Sequence, residues 1–171
     1  MDAYQKKENF FQSDIRARQI RDTEVNLEDF SLRQTIYETN HGLEYFLEYI
    51  NSRDGDKLAG FLRLRLQDNF FDSELAKYEN LKNLIDKTAL IRELHVYGKL
   101  KKIGEEGDQA QHVGFGKKLM LAAEKIAKDN HYKKIAVISG VGVRKYYEKL
   151  GYYLENTYMV KYLHSESNSN I

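Results

Sequence analysis

Between residues 90 and 130 a strand-like run ending Leu94-His95-Val96-Tyr97 is followed, after a loop, by Gln111-His112-Val113-Gly114-Phe115-Gly116 and then by an amphipathic helix. The helix is read from Gly114 to about Asn130, because Phe115, Leu119, Met120, Ala123, Ile126 and Ala127 recur there at a period of 3.6. That order places the amide N–H groups of a helix start at the end of a strand, where they attract anions. Gly114 and Gly116 either let a phosphate approach the backbone or only shape a tight connection. Lys117 and Lys118 fall in the expected first turn, where cations oppose the helix dipole unless an anion is present.

The rest of the chain reads as a sheet built around this unit. Ser31–Thr39, Leu43–Ile50 and Leu58–Leu66 have strand character, separated by turn signals at Asn40-His41-Gly42 and Arg53-Asp54-Gly55-Asp56. In Phe61-Leu62-Arg63-Leu64-Arg65-Leu66 apolar and basic residues alternate, which predicts one buried and one wet face. Arg63 and Arg65 are expected on the wet face, solvated or paired with neighbouring glutamates. Phe70–Lys87 has near-helical spacing at Leu75, Tyr78, Leu81, Leu84 and Ile85. Leu90–Tyr97 predicts a strand with Glu93, His95 and Tyr97 on one face and Leu90, Leu94 and Val96 on the other. The loop Gly98–Ala110 mixes lysines, carboxylates and glycines and reads as a mobile lid. Ile135–Ile138 is a short continuous apolar run of the buried-strand type. A break at Ser139-Gly140-Val141-Gly142, a helix over Val143–Leu150 stopped by Gly151, and closing strands within Tyr152–Leu163 complete the pattern. Residues 14–163 are read as one domain, with 1–13 and 164–171 as flexible polar ends.

Composition narrows the chemistry. Twenty-seven Lys and Arg against 26 Asp and Glu give a net charge of +1, so an anionic partner would need a local patch. No apolar run approaches the roughly 18 residues of a membrane span, and the polar start lacks a signal-peptide core. The expectation is a soluble, cytoplasmic protein with no membrane partner. Zero cysteines exclude disulfides, a thiol nucleophile and cysteine-ligated iron–sulfur clusters within this sequence, and no metal is expected.

Three segments carry a family resemblance: Arg92-Glu93-Leu94-His95-Val96-Tyr97-Gly98, Gln111-His112-Val113-Gly114-Phe115-Gly116, and Ile138-Ser139-Gly140-Val141-Gly142-Val143-Arg144-Lys145-Tyr146-Tyr147-Glu148-Lys149-Leu150-Gly151-Tyr152. In that order and spacing they resemble the acetyltransferase domain of the catalytic third subunit of Elongator, a member of the GNAT acetyl-CoA superfamily. Upstream, Ile15-Arg16-Ala17-Arg18-Gln19-Ile20 and Leu58–Leu66 resemble the family more weakly. Ala17 stands where the family usually has cysteine, and Asn156-Thr157 where it has Gly-Pro. The family's radical S-adenosylmethionine domain, with its cysteine triad, has no counterpart in this sequence, which resembles the acetyl-transfer half.

The resemblance implies an α/β GNAT fold, a mixed and mostly antiparallel central sheet flanked by helices, with acetyl-CoA as co-substrate. It implies that the amides of Glu93, Leu94, His95 and Val96 line the pantetheine arm. Gln111, His112, Val113 and Gly114 would lead into Phe115, Gly116 and Lys117, which would hold the pyrophosphate, and Tyr147 would reach the cofactor sulfur. Such a phenol, with a pKa near 10, keeps a proton for the departing thiolate at pH 7. Taken alone, a tyrosine before Glu-Lys-Leu-Gly reads as core. An amine acceptor such as a protein lysine must first lose a proton, at a cost of roughly 4.6 kcal/mol at pH 7. Glu93 is the candidate base, with a salt bridge to Arg92 or a strand arginine as the alternative. His112 is a weaker candidate, and Tyr146 either orients the acceptor or packs. The leading expectation is acetyl transfer from acetyl-CoA to an amine, a protein lysine or polyamine; the alternatives are a tRNA-dependent acetyl-CoA enzyme, since the family acts at a wobble uridine, and a silent module that binds CoA or a partner. For tRNA, Arg16, Arg18, Arg21, Lys99, Lys101, Lys102, Arg144 and Lys145 are the candidate phosphate contacts.

Overall fold

The computed structural model describes residues 14–21, 26–67, 87–97 and 109–163, and for residue 27 and residues 109–113 the backbone only. Seven strands form one sheet in the order β1-β2-β3-β4-β5-β7-β6. They are β1 (Ser31–Thr39), β2 (Gly42–Asn51), β3 (Lys57–Gln67), β4 (Thr88–Val96), β5 (Lys134–Ile138), β6 (Tyr153–Glu155) and β7 (Tyr158–Tyr162). Every neighbouring pair is antiparallel except β4 and β5, which the helical crossover α2 (Gln109–Asp129) joins in parallel. A four-residue α1 (Ile15–Arg18), capped by Asp14 Oδ1 accepting from the Arg16 amide, precedes the sheet. The short α3 (Arg144–Lys149) follows a single 3₁₀ turn, Val141–Val143. The expected helix over Phe70–Lys87, the expected lid and both expected flexible ends lie outside the described residues. The exceptions are Lys87, which is a turn, and Gln109 and Ala110, which are helical.

The alternation read in β3 is the one observed. Leu62, Leu64 and Leu66 are buried beneath α2 with Leu47, Ile91, Leu119, Met120 and Ala123, while Arg63 and Arg65 stand on the opposite face. Each fully buried Leu or Met there is worth about 1.5–3 kcal/mol, so this layer is the main source of stability.

Two expectations change. The long helix begins at Gln109, not at Gly114, because residues 109–113 contain no proline and the helix propagates through them. The segment Gln111–Gly116, expected as a turn, is therefore helical. In β4 a bulge separates two faces: Arg63 pairs with Glu93 and Leu64 with Ile91, leaving Arg92 as the extra residue. Leu90, opposite Arg65, therefore shares the polar face with Glu93 and does not lie with Leu94 and Val96.

A buried polar tie closes the C-terminal half. Glu124 on α2 accepts from Tyr152 Oη at 3.0 Å and from Lys161 Nζ at 2.9 and 2.8 Å, and the same Nζ donates to the Leu150 carbonyl at 3.1 Å. Glu124 is 8 % exposed, so truncating it strands a lysine and a phenol in a poorly solvated place. Glu124→Ala is expected to lower the unfolding free energy by about 3 kcal/mol in urea titrations. A loss below 1 kcal/mol would show that the tie is solvated.

Candidate active site

The pairing of β4 with β5 runs only from Thr88–Lys134 to Ile91–Val137. Beyond it β4 continues to Val96, bonded to β3 on one side, while β5 ends at Ile138. From Glu93 to Val96 the strand thus has a ladder partner only on its β3 side among the described residues. The two strands part as a wedge, and the free edge of β4 is a backbone surface that an extended ligand can pair with. At Gly116, α2 lies against Val96 of β4 and Tyr146 of α3.

α3 places two tyrosines on the far wall. Gly151, at φ +84°, ends the helix in the left-handed conformation. The Gly151 amide donates to the Glu148 carbonyl at 3.0 Å and the Tyr152 amide to the Tyr147 carbonyl at 3.1 Å. This is the Schellman arrangement, and its apolar contact is the edge-on pair Tyr147–Tyr152, with ring centroids 6.0 Å apart. Tyr147 is thereby fixed in the core, and burial raises its phenol pKa. Tyr146 packs edge-on against it at 5.1 Å, with its hydroxyl beside Gly116.

That hydroxyl explains Gly116. A Cβ on Gly116 would lie 2.6 Å from Tyr146 Oη and 3.4 Å from Val96 Cγ2. The glycine, inside α2, admits the tyrosine between helix and strand. Tyr146 Oη is buried and has no hydrogen-bond partner. Burial, with Tyr147 adding a smaller effect, pushes its pKa up to about 12, so it stays a proton donor.

The other predicted residues divide between the two sheet faces. Leu94 is half-buried against the core beneath α2, and Val96 lies at the wedge. Phe115 is a core residue, in contact with Phe30 and Tyr49 at 5.3 and 5.2 Å. Gly114 is half-buried and Lys117 is exposed. Gln111, His112 and Val113 sit in the first turns of α2, whose first four amides, on residues 109–112, have no partner within the helix. The unpaired amides are thus earlier in the chain than the expected Phe115, Gly116 and Lys117.

Glu93 and His95 face away from α2. His95 stacks on Phe61 at 5.0 Å, with Tyr97 beyond it. The Glu93 carboxylate accepts from Arg63 at 3.3 Å, the salt-bridge alternative raised by the sequence, and lines a concavity of about 860 Å³ on this open face. There Glu44 is held by Arg63 and Arg92, and Glu48 by Arg18 and Arg33. The pairing of Arg63 with a neighbouring glutamate is the one expected from the sequence, whereas the parts of the network held by Arg18, Arg33 and Arg92 were not read from it. Arg18, a candidate phosphate contact, is thus committed to Glu48 at 2.7 Å. No group of three His, Asp or Glu side chains able to hold a metal ion occurs among the described residues.

Residues 13–152 match the model of the Acetyltransferase (GNAT) family. The chain is 44% identical over 157 residues to Elongator complex protein 3 of Schizosaccharomyces pombe, covering 88% of this chain and 27% of that protein. It is 43% identical over 135 residues to the tRNA uridine(34) acetyltransferase of Dehalococcoides mccartyi, covering 78% of this chain and 28% of the relative. Among solved structures it superposes on archaeal Methanocaldococcus infernus Elp3 with a TM-score of 0.62 at 40% identity, over 81% of this chain and 31% of the other. The chain therefore spans less than a third of the length of these relatives.

The contact between Gly116 and Tyr146 is directly testable. Gly116→Ala gains helix propensity but drives a methyl into the phenol, whereas Tyr146→Phe removes the offending oxygen. In urea unfolding the double variant is expected to be about 1 kcal/mol more stable than the sum of the two single changes. Strict additivity would mean that the two residues do not touch.

Proposed function

Because the chain belongs to the acetyltransferase (GNAT) family and is thus an acetyl-CoA acyltransferase, we propose that it takes its acetyl donor into the wedge between β4 and β5 and that the acceptor is a tRNA uridine. The observation that carries the first half is the orphaned Tyr146 hydroxyl, buried at the mouth of a gap whose other wall is a free strand edge. A ligand rich in amide and carbonyl groups suits both. Glu93, Leu94, His95 and Val96 would offer backbone groups to its extended arm as a neighbouring strand does. The start of α2, from Gln111 and His112 through Val113, Gly114, Phe115 and Gly116 to Lys117, would face its phosphates, with residues 111 and 112 supplying unpaired amides.

Bound acetyl-CoA supplies an activated acyl group whose thiolate must be protonated as it leaves. Tyr147 is the proposed donor of that proton, and Tyr146 the neighbour that contacts the arm. Burial keeps both phenols protonated across the neutral range, which suits a general acid. The names of the relatives support the acceptor: at 43% and 41% identity, two are tRNA uridine(34) acetyltransferases.

A second reading, transfer to a protein lysine or polyamine, draws on Glu93. Its carboxylate is 40% exposed beside the concavity and, among the described residues, paired only with Arg63, so it has room to face an ammonium. A third, a silent CoA-binding module, predicts binding without turnover.

Release of free CoA thiol from acetyl-CoA separates the three. With tRNA, lysine peptide, spermidine or buffer added in parallel, tRNA is expected to stimulate release. Stimulation by an amine, with acetyl recovered on it, would replace the tRNA reading, and CoA binding with no release would leave the silent module. Tyr147→Phe is expected to lower stimulated release on the order of 100-fold without unfolding the protein. Because both phenol pKa values are raised, release should not fall between pH 7 and pH 9; a decline with a midpoint near pH 8 would exclude a buried phenol as the acid.

A further inference from the structure

Three of the four buried side-chain polar atoms without a partner, among the described residues, belong to Ser139, Arg144 and Tyr146; the fourth is Arg18 Nε. The shortage is concentrated where β5 turns into α3. Tyr146 faces the wedge. Ser139 and Arg144 lie on either side of the Val141–Val143 turn, which the Val143 amide closes by donating to the Gly140 carbonyl at 3.1 Å. Ser139 is 8 % exposed with an unbonded Oγ, and the half-buried Arg144 makes no ion pair with any described residue. An unpaired, partly desolvated guanidinium is costly, and by contrast Arg33, Arg63 and Arg92 on the strand face each hold a carboxylate.

The outer surface of the same corner is apolar. Ile138, Val141 and Val143 are 62%, 77% and 50% exposed, and a Cβ built on Gly140 or Gly142 would meet nothing within 4 Å. The result is a low shelf of valines and bare backbone, flanked by Arg144 and the exposed Lys145, with no carboxylate between Ile138 and Tyr147.

We propose that this β5–α3 corner is a binding site for a phosphorylated nucleoside, with the ring on the shelf of Val141 and Val143 and the phosphate on Arg144 and Lys145. A planar base needs a flat, weakly hydrated surface, and a guanidinium fork matches phosphate oxygens better than any other side chain. The inference rests on the acetyl-donor reading only in its choice of sources: the nucleotide is either the 3′-phosphoadenosine end of CoA or a nucleotide of an RNA acceptor.

Calorimetric titration of the full chain with CoA, 3′-dephospho-CoA, adenosine 3′,5′-bisphosphate and a short single-stranded RNA tests it. Arg144→Gln is expected to weaken at least one phosphate-bearing probe about tenfold and to reduce the salt dependence of its binding. A loss with CoA and the bisphosphate, but not with 3′-dephospho-CoA, assigns the site to the donor; a loss confined to RNA assigns it to the acceptor. Val141→Asp, at a 77% exposed position, brings a negative charge to the shelf without touching the core and is expected to act in the same direction. If CoA fails to bind while another probe binds in an Arg144-dependent way, the acetyl-donor reading falls and the site stands. Unchanged binding of all four probes to both folded variants, or binding of none to the unaltered protein, overturns the proposal.

Discussion

One extra residue in β4 sets the geometry of everything around the wedge. With Arg92 bulged out of the β3 ladder, Ile91 stays in the core beneath α2, and Glu93 turns to the opposite face within two residues. The pairing of β4 with β5 stops at this place, at Ile91–Val137. A bulge twists and bends its strand, so the departure of β4 from β5 and the reversal of its faces have one local origin. Arg92 is also anchored: its guanidinium donates to Glu44 at 2.6 Å, across β3.

The two faces that the bulge separates are built on different physics. Beneath α2 the contacts are apolar and dense. On the other face of β1–β4, Glu44 and Glu48 are almost fully buried, yet each lies between two arginines, so the carboxylates are not left without counter-charge. Four strands and α1 contribute to that lattice, which fixes side-chain positions more than it adds stability, since paired charges recover little beyond their desolvation cost. It also leaves Glu93, at the edge, as the less encumbered carboxylate, beside the concavity.

Much of this was legible in the chain. Strand limits in β1 to β3 follow from the turn signals at Asn40-His41-Gly42 and Arg53-Asp54-Gly55-Asp56, the two faces of β3 from alternation at Leu62, Leu64 and Leu66, and Gly151 marks the end of α3, because a left-handed cap admits few other residues. The three motifs that resemble a known acetyltransferase domain lie on β4, on α2 and on the β5–α3 unit, the elements that enclose the wedge. The start of α2 was misplaced because glycine at 114 and 116 looks like a turn in isolation; packing of Phe115 against Phe30 and Tyr49 holds the segment as helix.

The sequence by itself determined the order of elements, the apolar face of each, and the presence of two adjacent tyrosines before a helix-ending glycine, because these depend on periodicity and on local backbone preference. Tertiary structure alone decided which of those tyrosines sends its hydroxyl to Gly116, which arginines are spent on Glu44 and Glu48, and that Leu90 leaves the face of Leu94. Each of these depends on a contact between residues far apart in the chain: a bulge defined by its partner strand, a phenol limited by a glycine thirty positions away, a guanidinium bound to the nearest carboxylate. No local pattern encodes such distances.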